Sequence, residues 1–228
     1  MKLTVLYPEY FPTLYTCARL MASDIVIFAD SFLFRKNANR CCIKTINGKT
    51  CLTIPIHSNN QQSLSEIKID FQKNWQQNHL RTLEYNYQNA AYYYLVEHKI
   101  EKIFLSQHDN LADLLLATTL FFIDLLQIDK KVIKSSTLPL VKNREQRVIE
   151  WVGALNCQTY LIDAKDIKYI DCNVIQNKDV KIEIIEPQIK PYHQQFNEFI
   201  ENCSIIDLLY NEGWESKFLL NYNIKKLG

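Results

Sequence analysis

Residues 3–7 read Leu-Thr-Val-Leu-Tyr and residues 25–29 read Ile-Val-Ile-Phe-Ala, two continuous apolar runs of strand length, rich in β-branched side chains. Strands that show no polar alternation are those buried on both faces, the usual situation in a parallel sheet. Between them Leu14, Ala18 and Met21 recur at helical spacing. The chain is therefore expected to open as strand, helix, strand, with the two strands parallel. Outward from there, residues 41–45 and 51–55 flank Asn47-Gly48, whose tolerance of positive φ signals an antiparallel hairpin. From residue 71 to about 102 the pattern turns helical, with Trp75, His79, Thr82 or Leu83, and Asn86 or Tyr87 returning to one face. Asp109 or Asn110 then caps a helix running through Leu126.

Residues 131–134 make a short strand, 143–157 a helix with Val148, Ile149, Val152 and Leu155 on one stripe, and 159–163 another strand. Residues 181–185 alternate charged and apolar, after which Pro187 and Pro191 are expected to turn the chain into an extended connection. A last helix covers about 205–210 and ends at Gly213. Strands recurring between helices predict an α/β layered fold, with a mainly parallel sheet, an antiparallel hairpin and a helical insertion. One domain over residues 1–228 is expected, with 71–128 as a helical subdomain.

The composition narrows function. Of 228 residues, 47% are hydrophobic and 22% charged, and Lys plus Arg total 26 against 25 Asp plus Glu. A net charge of +1 gives no electrostatic case for a nucleic-acid partner. The glycines, at 48, 153, 213 and 228, are too scattered to build a dinucleotide fingerprint or a Walker loop. Residues 111–128 approach membrane length, but Asp113 and Asp124 interrupt them and a buried helix is expected instead. The opening residues lack a signal peptide's pattern, which leads to an expectation of cytoplasmic location. The seven cysteines contain no C-x-x-C pair and sit mostly in apolar segments; they are expected to be reduced core thiols. No metal-ligand spacing appears, and no cofactor is expected.

Two loops should open on the carboxyl edge of the first two strands, the usual place for a ligand crevice. The first, Tyr7-Pro8-Glu9-Tyr10-Phe11-Pro12, is stiffened by prolines and offers Glu9 with the hydroxyls of Tyr7 and Tyr10, though its aromatics could equally pack over the sheet edge. The second, residues 30–40, carries Asp30, Arg35, Lys36, Asn39 and Arg40. Its cations suit an anionic or polyhydroxylated ligand, and Arg40 offers a bidentate fork; a solvated basic loop is the bland alternative. His79 shares a helical face with Trp75, compatible with an aromatic-lined pocket or with simple packing. Ser204 and Asp207 begin an apolar helix, where either can serve as its cap.

Residues 7–56, beginning Tyr-Pro-Glu-Tyr-Phe-Pro, with Asp30 at the end of the second strand and Asn39-Arg40 before the hairpin, resemble the opening of the WbqC-like family. Asn74-Trp75 with His79, Tyr87, Ala90 and Tyr92 is similar to the family's helical segment, and Tyr160-Leu161 with Tyr169 lies where it has a Tyr-Leu-Ser-Gly stretch and a later tyrosine. Tyr192, Gln194, Phe199 and the run from Ser204 to Asn211 match its closing blocks. The departures fall on polar positions: Leu6 and Tyr7 stand for the family's His-Gln, Glu9 for its Asn, and Ile162-Asp163 for its Ser-Gly. Leu6 cannot move a proton.

The resemblance implies a setting in bacterial surface-polysaccharide or O-antigen synthesis. It leads to an expected transferase-like enzyme acting on an activated sugar, with a sugar nucleotide as small-molecule ligand. In that reading Glu9 or Asp30 is the general base, Asn39 and Arg40 bind the anionic donor, Tyr10, His79 and Gln194 line the acceptor pocket, and Tyr7, Arg35 and Tyr192 are further ligand-binding residues. The alternative is a diverged, catalytically inactive binding or scaffold protein, docking a partner or a second copy in a homodimer. Its motivation is the loss of the His-Gln and Ser-Gly positions.

Overall fold

The two apolar runs become neighbouring parallel strands, β1 (Lys2–Leu6) and β2 (Ile25–Phe28), in register from Leu3 opposite Ile25 to Leu6 opposite Phe28. The computed structural model describes residues 1–57, 61–108, 110–196 and 198–227. Helix α1 (Leu14–Met21) joins these strands, and the Thr13 hydroxyl caps it by accepting from the Thr16 N–H. Next come the hairpin β3 (Arg40–Thr45) and β4 (Gly48–Thr53), the short pair β5 (Ile56–His57) and β6 (Lys68–Ile69), and three helices, α2 (Trp75–Tyr87), α3 (Tyr93–Leu105) and α4 (Leu111–Leu125). Strand β7 (Lys131–Lys134) returns beside β2. Helix α5 (Arg144–Ala154) then crosses to β8 (Thr159–Asp163), followed by α6 (Cys172–Gln176), β9 (Lys181–Ile189), α7 (Ile205–Glu212), α8 (Ser216–Leu219) and β10 (Leu220–Lys226).

The main sheet has the order β10-β9-β8-β1-β2-β7, parallel except for β10. Alternation along each strand divides it into two buried faces. Leu3, Ile25, Ile27, Tyr160, Ile162 and Ile182 pack with Val148, Trp151 and Val152 of α5, while Leu6, Val26 and Phe28 join the larger core with α1, the hairpin and the middle helices. That is why β1 and β2 read as uninterrupted apolar runs. Helices α2, α3 and α4 share that larger core through Trp75, Leu83, Tyr87, Val96, Phe104 and Phe122.

Several expectations need correction. The helical stretch from residue 71 breaks between Gln88 and Tyr92, where Tyr92 N–H donates to Tyr210 O. Asn110 caps α4 through its side chain; Asp109 lies outside the described residues. The hairpin turn is centred one residue earlier than Asn47-Gly48, since Thr45 pairs with Gly48 and it is Gly48 that takes positive φ (97°). Pro187 does not end β9: β8 stops opposite Ile185, so beyond that point β9 pairs with β10 alone and keeps one flank open. Strand β10 itself was not anticipated, because Leu220–Lys226 is mostly polar and half exposed. The seven cysteines are not all reduced. Cys42 and Cys51 face each other across the hairpin and form a disulfide, whereas Cys17, Cys41, Cys157, Cys172 and Cys203 are free. Among the described residues no helix is long and apolar enough to cross a membrane.

Gly213 ends α7 with φ +53°, and a Cβ built there would stand 2.3 Å from the Tyr92 ring. Both backbone strain and the ring require glycine. Gly213→Ala should therefore lower unfolding free energy by about 2–3 kcal/mol in urea titrations. Added to Tyr92→Ala, the same change should cost less, because the ring has gone.

Candidate functional site

The ladder between β1 and β8 ends early. Only Lys2–Thr159 and Leu3–Tyr160 pair, whereas β1 stays with β2 as far as Phe28 and β8 stays with β9 as far as Ile185. The sheet thus parts at the carboxyl ends of its two central strands. It is also where the strand order reverses: β2 and β7 were laid on one side of β1, and β8 and β9 on the other. Such a switch point is where open α/β sheets bind ligands.

Arg19 of α1 fills the parting. Its Nε donates to Thr4 Oγ1 at 2.7 Å, its Nη2 to Val5 O at 3.0 Å and its Nη1 to Asp166 Oδ2 at 3.2 Å. Thr4 Oγ1 in turn donates to Leu161 O at 2.9 Å, so a hydroxyl bridges the two halves where backbone pairing has ceased. The side chain of Arg19 is 10% exposed. Its charge meets Asp166, and its three hydrogen bonds, to Thr4, Val5 and Asp166, give it the partners a nearly buried cation requires.

Above this floor lies a cleft. Its inner lobe, about 340 Å³, is bounded by Val5, Ala29, Tyr160 and Ile162 at the strand ends, with Asp166 and Tyr169 following β8. Its outer lobe, about 490 Å³, runs between the loop after β2 and residues 139–142 before α5. Tyr7, Phe32, Arg35, Arg144, Arg147 and Trp151 belong to both lobes. Asn143 caps helix α5, its side chain accepting from Gln146 N–H, and the three- and four-residue spacing of Arg144, Arg147 and Trp151 turns all of them to the cleft.

The electrostatics are lopsided. Arg147 lies over the rings of Phe32 (4.8 Å) and Trp151 (5.8 Å), and burial, then the neighbouring Arg144 charge, lowers its pKa. Arg144 spends one N–H on Tyr169 O, and Arg147 donates to Val141 O and Lys142 O, all neutral acceptors. Arg35 stacks on Tyr7 at 4.4 Å, and among the described residues nothing accepts a hydrogen bond from its guanidinium. Tyr7 is held by Leu33 O and Arg35 N–H, and burial drives its pKa up to about 12. Asp166 is the carboxylate lining the cleft, and it already faces Arg19. Three arginines are thus gathered without a counter-charge, an arrangement that attracts an anion.

Of the residues singled out in the sequence, Tyr7 and Arg35 line this cleft. Glu9 and Asp30 hold backbone segments in place, Glu9 the start of α1 and Asp30 the turn after β7. Glu9 Oε2 accepts from Thr13 N–H at 2.9 Å, and Asp30, 2% exposed, accepts from Ser135 Oγ, Ser136 N and Ser136 Oγ at 2.9, 2.9 and 2.6 Å. Asn39 is buried and donates to Ile54 O, and Arg40 is exposed at the start of β3. Tyr10 and His79 sit in an aromatic cluster with Trp75 and Phe104, where the Tyr10 hydroxyl and His79 Nδ1 are 3.0 Å apart. Tyr192 and Gln194 form a third group around Asp207: Oδ2 accepts from Tyr192 at 2.5 Å and Gln194 Nε2 at 2.8 Å, and Oδ1 from Tyr87 at 2.6 Å. Ser204, not Asp207, caps α7. Arg19, Arg144, Arg147 and Trp151 were not singled out. The recurrence of Arg144, Arg147 and Trp151 on one apolar helix face was the available signal.

The cleft makes this an α/β protein with a cationic, aromatic-walled crevice at its switch point. Residues 7–218 match the model of the WbqC-like protein family, and the chain belongs to that family. It is also 26% identical over 211 residues to the uncharacterized protein Rv1507c of Mycobacterium tuberculosis, which covers 87% of this chain and 91% of the relative. No solved structure matches.

Burial pushes the His79 pKa from 6.5 down to about 4, a contact to Thr53 O offsetting part of the effect. The folded imidazole is thus neutral through the acid range while the unfolded one takes a proton below about pH 6.5. Native stability should fall as pH drops from 6.5 towards 4, by an amount on the order of 3 kcal/mol from this group, and be indifferent to it above that window. The slope of urea-derived stability against pH across that window should flatten in His79→Asn; an unchanged slope would mean that the folded ring protonates normally.

Proposed function

We propose that the protein is a transferase-like enzyme acting on an activated sugar of bacterial surface-polysaccharide synthesis, with the cleft as its donor site. The observation that carries this is the convergence of Arg35, Arg144 and Arg147 between aromatic walls, with no opposing carboxylate among the described residues beyond Asp166, which Arg19 engages. An activated sugar carries its leaving group as an anion, and planar guanidinium forks suit phosphate oxygens. In the reaction an acceptor oxygen bonds to the anomeric carbon as the bond from that carbon to the phosphate oxygen breaks. The leaving group departs with the electron pair, and the arginines stabilise the charge it gains. The acceptor's proton passes to solvent through the open outer side of the cleft; Asp166, in the inner lobe and engaged by Arg19, is not assigned that step. Glu9 and Asp30 are not assigned it either, because Asp30 is bonded through both oxygens to Ser135 and Ser136, Glu9 holds Thr13 N–H, and neither lines the cleft.

A second reading, a binding protein without turnover, draws on Leu6. It is 4% exposed in the core at the position where the family motif carries histidine. The two readings share the cleft and differ in chemistry.

Arg35→Ala separates a working cleft from a fortuitous one, since the Arg35 guanidinium contributes only a stack on Tyr7 to the fold. Its melting temperature should stay within a few degrees of wild type, while affinity for activated sugars, measured by calorimetry over a panel of sugar phosphates and nucleotide sugars, should drop roughly 10- to 100-fold. Equal affinity in the variant would remove the donor-site reading. Binding that never leads to release of the leaving group, with any acceptor sugar supplied, would favour the non-catalytic one.

A further inference from the structure

The distribution of charge along the cleft says more than its sign. Arg35, Arg144 and Arg147 are common to both lobes, together with the rings of Tyr7, Phe32 and Trp151. They form a waist. Away from it, the inner lobe holds Arg19, committed to Thr4, Val5 and Asp166, and the outer lobe holds Lys142. Uncommitted positive charge therefore lies in the middle of the cleft and not at its inner end. A ligand whose charge is terminal, such as a sugar monophosphate or a simple carboxylate, would occupy one lobe and leave the other unused. A ligand whose charge is central, with an uncharged group on either side, uses both.

The two lobes differ in character. Val5, Val148 and Ile162 give the inner lobe apolar walls, and Tyr169 lines it beside them. Tyr160 also lines it, 6% exposed, with Arg19, Asp166 and Arg144 close enough for their charges to act on its hydroxyl. Among the described residues that hydroxyl has no hydrogen-bond partner, and it is not sealed in the core but lines the cleft, where a ligand can bond it. A flat heterocycle with edge donors and acceptors satisfies the hydroxyl while its faces meet the apolar walls. The outer lobe is wider, and Leu33 and Leu140 stand at its rim, 62% and 85% exposed. It is the side from which a second substrate can reach a group about to be transferred.

We propose that the cleft takes a nucleoside diphosphate conjugate, with the diphosphate on the waist arginines, the nucleoside in the inner lobe against the Tyr160 hydroxyl, and the transferable group in the outer lobe. This rests on the donor-site reading above and adds to it the class of activating group and its direction of binding.

Calorimetric titration of the full chain with inorganic pyrophosphate, with UDP and GDP, and with their glucose conjugates tests it, using wild type, Arg35→Ala and Tyr160→Phe. At least one nucleoside diphosphate should bind 10-fold or more tightly than pyrophosphate. Tyr160→Phe should reduce that advantage about 3- to 10-fold, the effect of one lost hydrogen bond, and leave pyrophosphate unchanged. Its melting temperature controls for folding. If pyrophosphate binds in an Arg35-dependent way but no nucleoside adds affinity, or if Tyr160→Phe leaves the nucleoside advantage intact, the inference falls and the anionic donor site survives. If none of these anions binds wild type, both fall together.

Discussion

The guanidinium of Arg19 is the point on which the sheet turns. A strand that loses its neighbour in the interior leaves peptide groups that need other partners. At β1 and β8 that loss begins after Leu3. Thr4 hydroxyl to Leu161 carbonyl, and Arg19 to Thr4 and Val5, replace ladder bonds with side-chain bonds, so the sheet can open without leaving those groups unpaired. The opening creates the crevice. A charge in that position needs a partner, and Asp166 supplies it from the turn following β8, which draws that turn over the crevice.

The charge balance of the whole chain conceals what happens there. A surplus of +1 spread over 228 residues excludes a protein built to coat polyanions, and that exclusion stands beside a cleft in which three arginines face no free carboxylate. Local field depends on which side chains the fold gathers, not on their sum. Helix α5 gathers two of them, the loop after β2 brings the third, and the rings of Phe32 and Trp151 lie under Arg147 and that of Tyr7 under Arg35.

The Asp207 centre shows the same economy of polar groups used for architecture. Burial raises the pKa of that carboxyl, and the hydroxyls of Tyr192 and Tyr87 with the Gln194 amide oppose the rise by donating to it. Gln194 also spans to the Ile200 backbone, and Lys44, 2% exposed, donates to the carbonyls of Phe196 and Glu198. Residues that belong to the family's closing motif thus tie the extended segment after β9 to α7, α2 and β3. Their burial explains why a polar motif of high specificity is read in the sequence as a site although its atoms are turned inward.

Periodicity and turn chemistry determined most of the elements. The unbroken runs at 3–7 and 25–29 could bury both faces only in a parallel sheet, the stripe Trp75, His79, Leu83 and Tyr87 is the buried face of α2, and Asn110, Asn143 and Gly213 cap or end the helices they adjoin. Motif order also identified the family, because each block is a short contiguous stretch and the blocks keep their order along the chain. What depended on distant pairing was decided by the tertiary structure. The hairpin register fixed which cysteines met, β9 kept Pro187 because its flank had no partner, and β10 formed from a polar segment because an edge strand needs only one neighbour. The cleft is the clearest case: Tyr7, Arg19, Arg35, Arg147 and Tyr160 are spread over some two thirds of the sequence, and only the parting of β1 from β8 brings their side chains to one cavity. Sequence spacing carries information about neighbours on one helix or strand, whereas a site at a switch point is assembled from strand ends whose order the chain does not spell out.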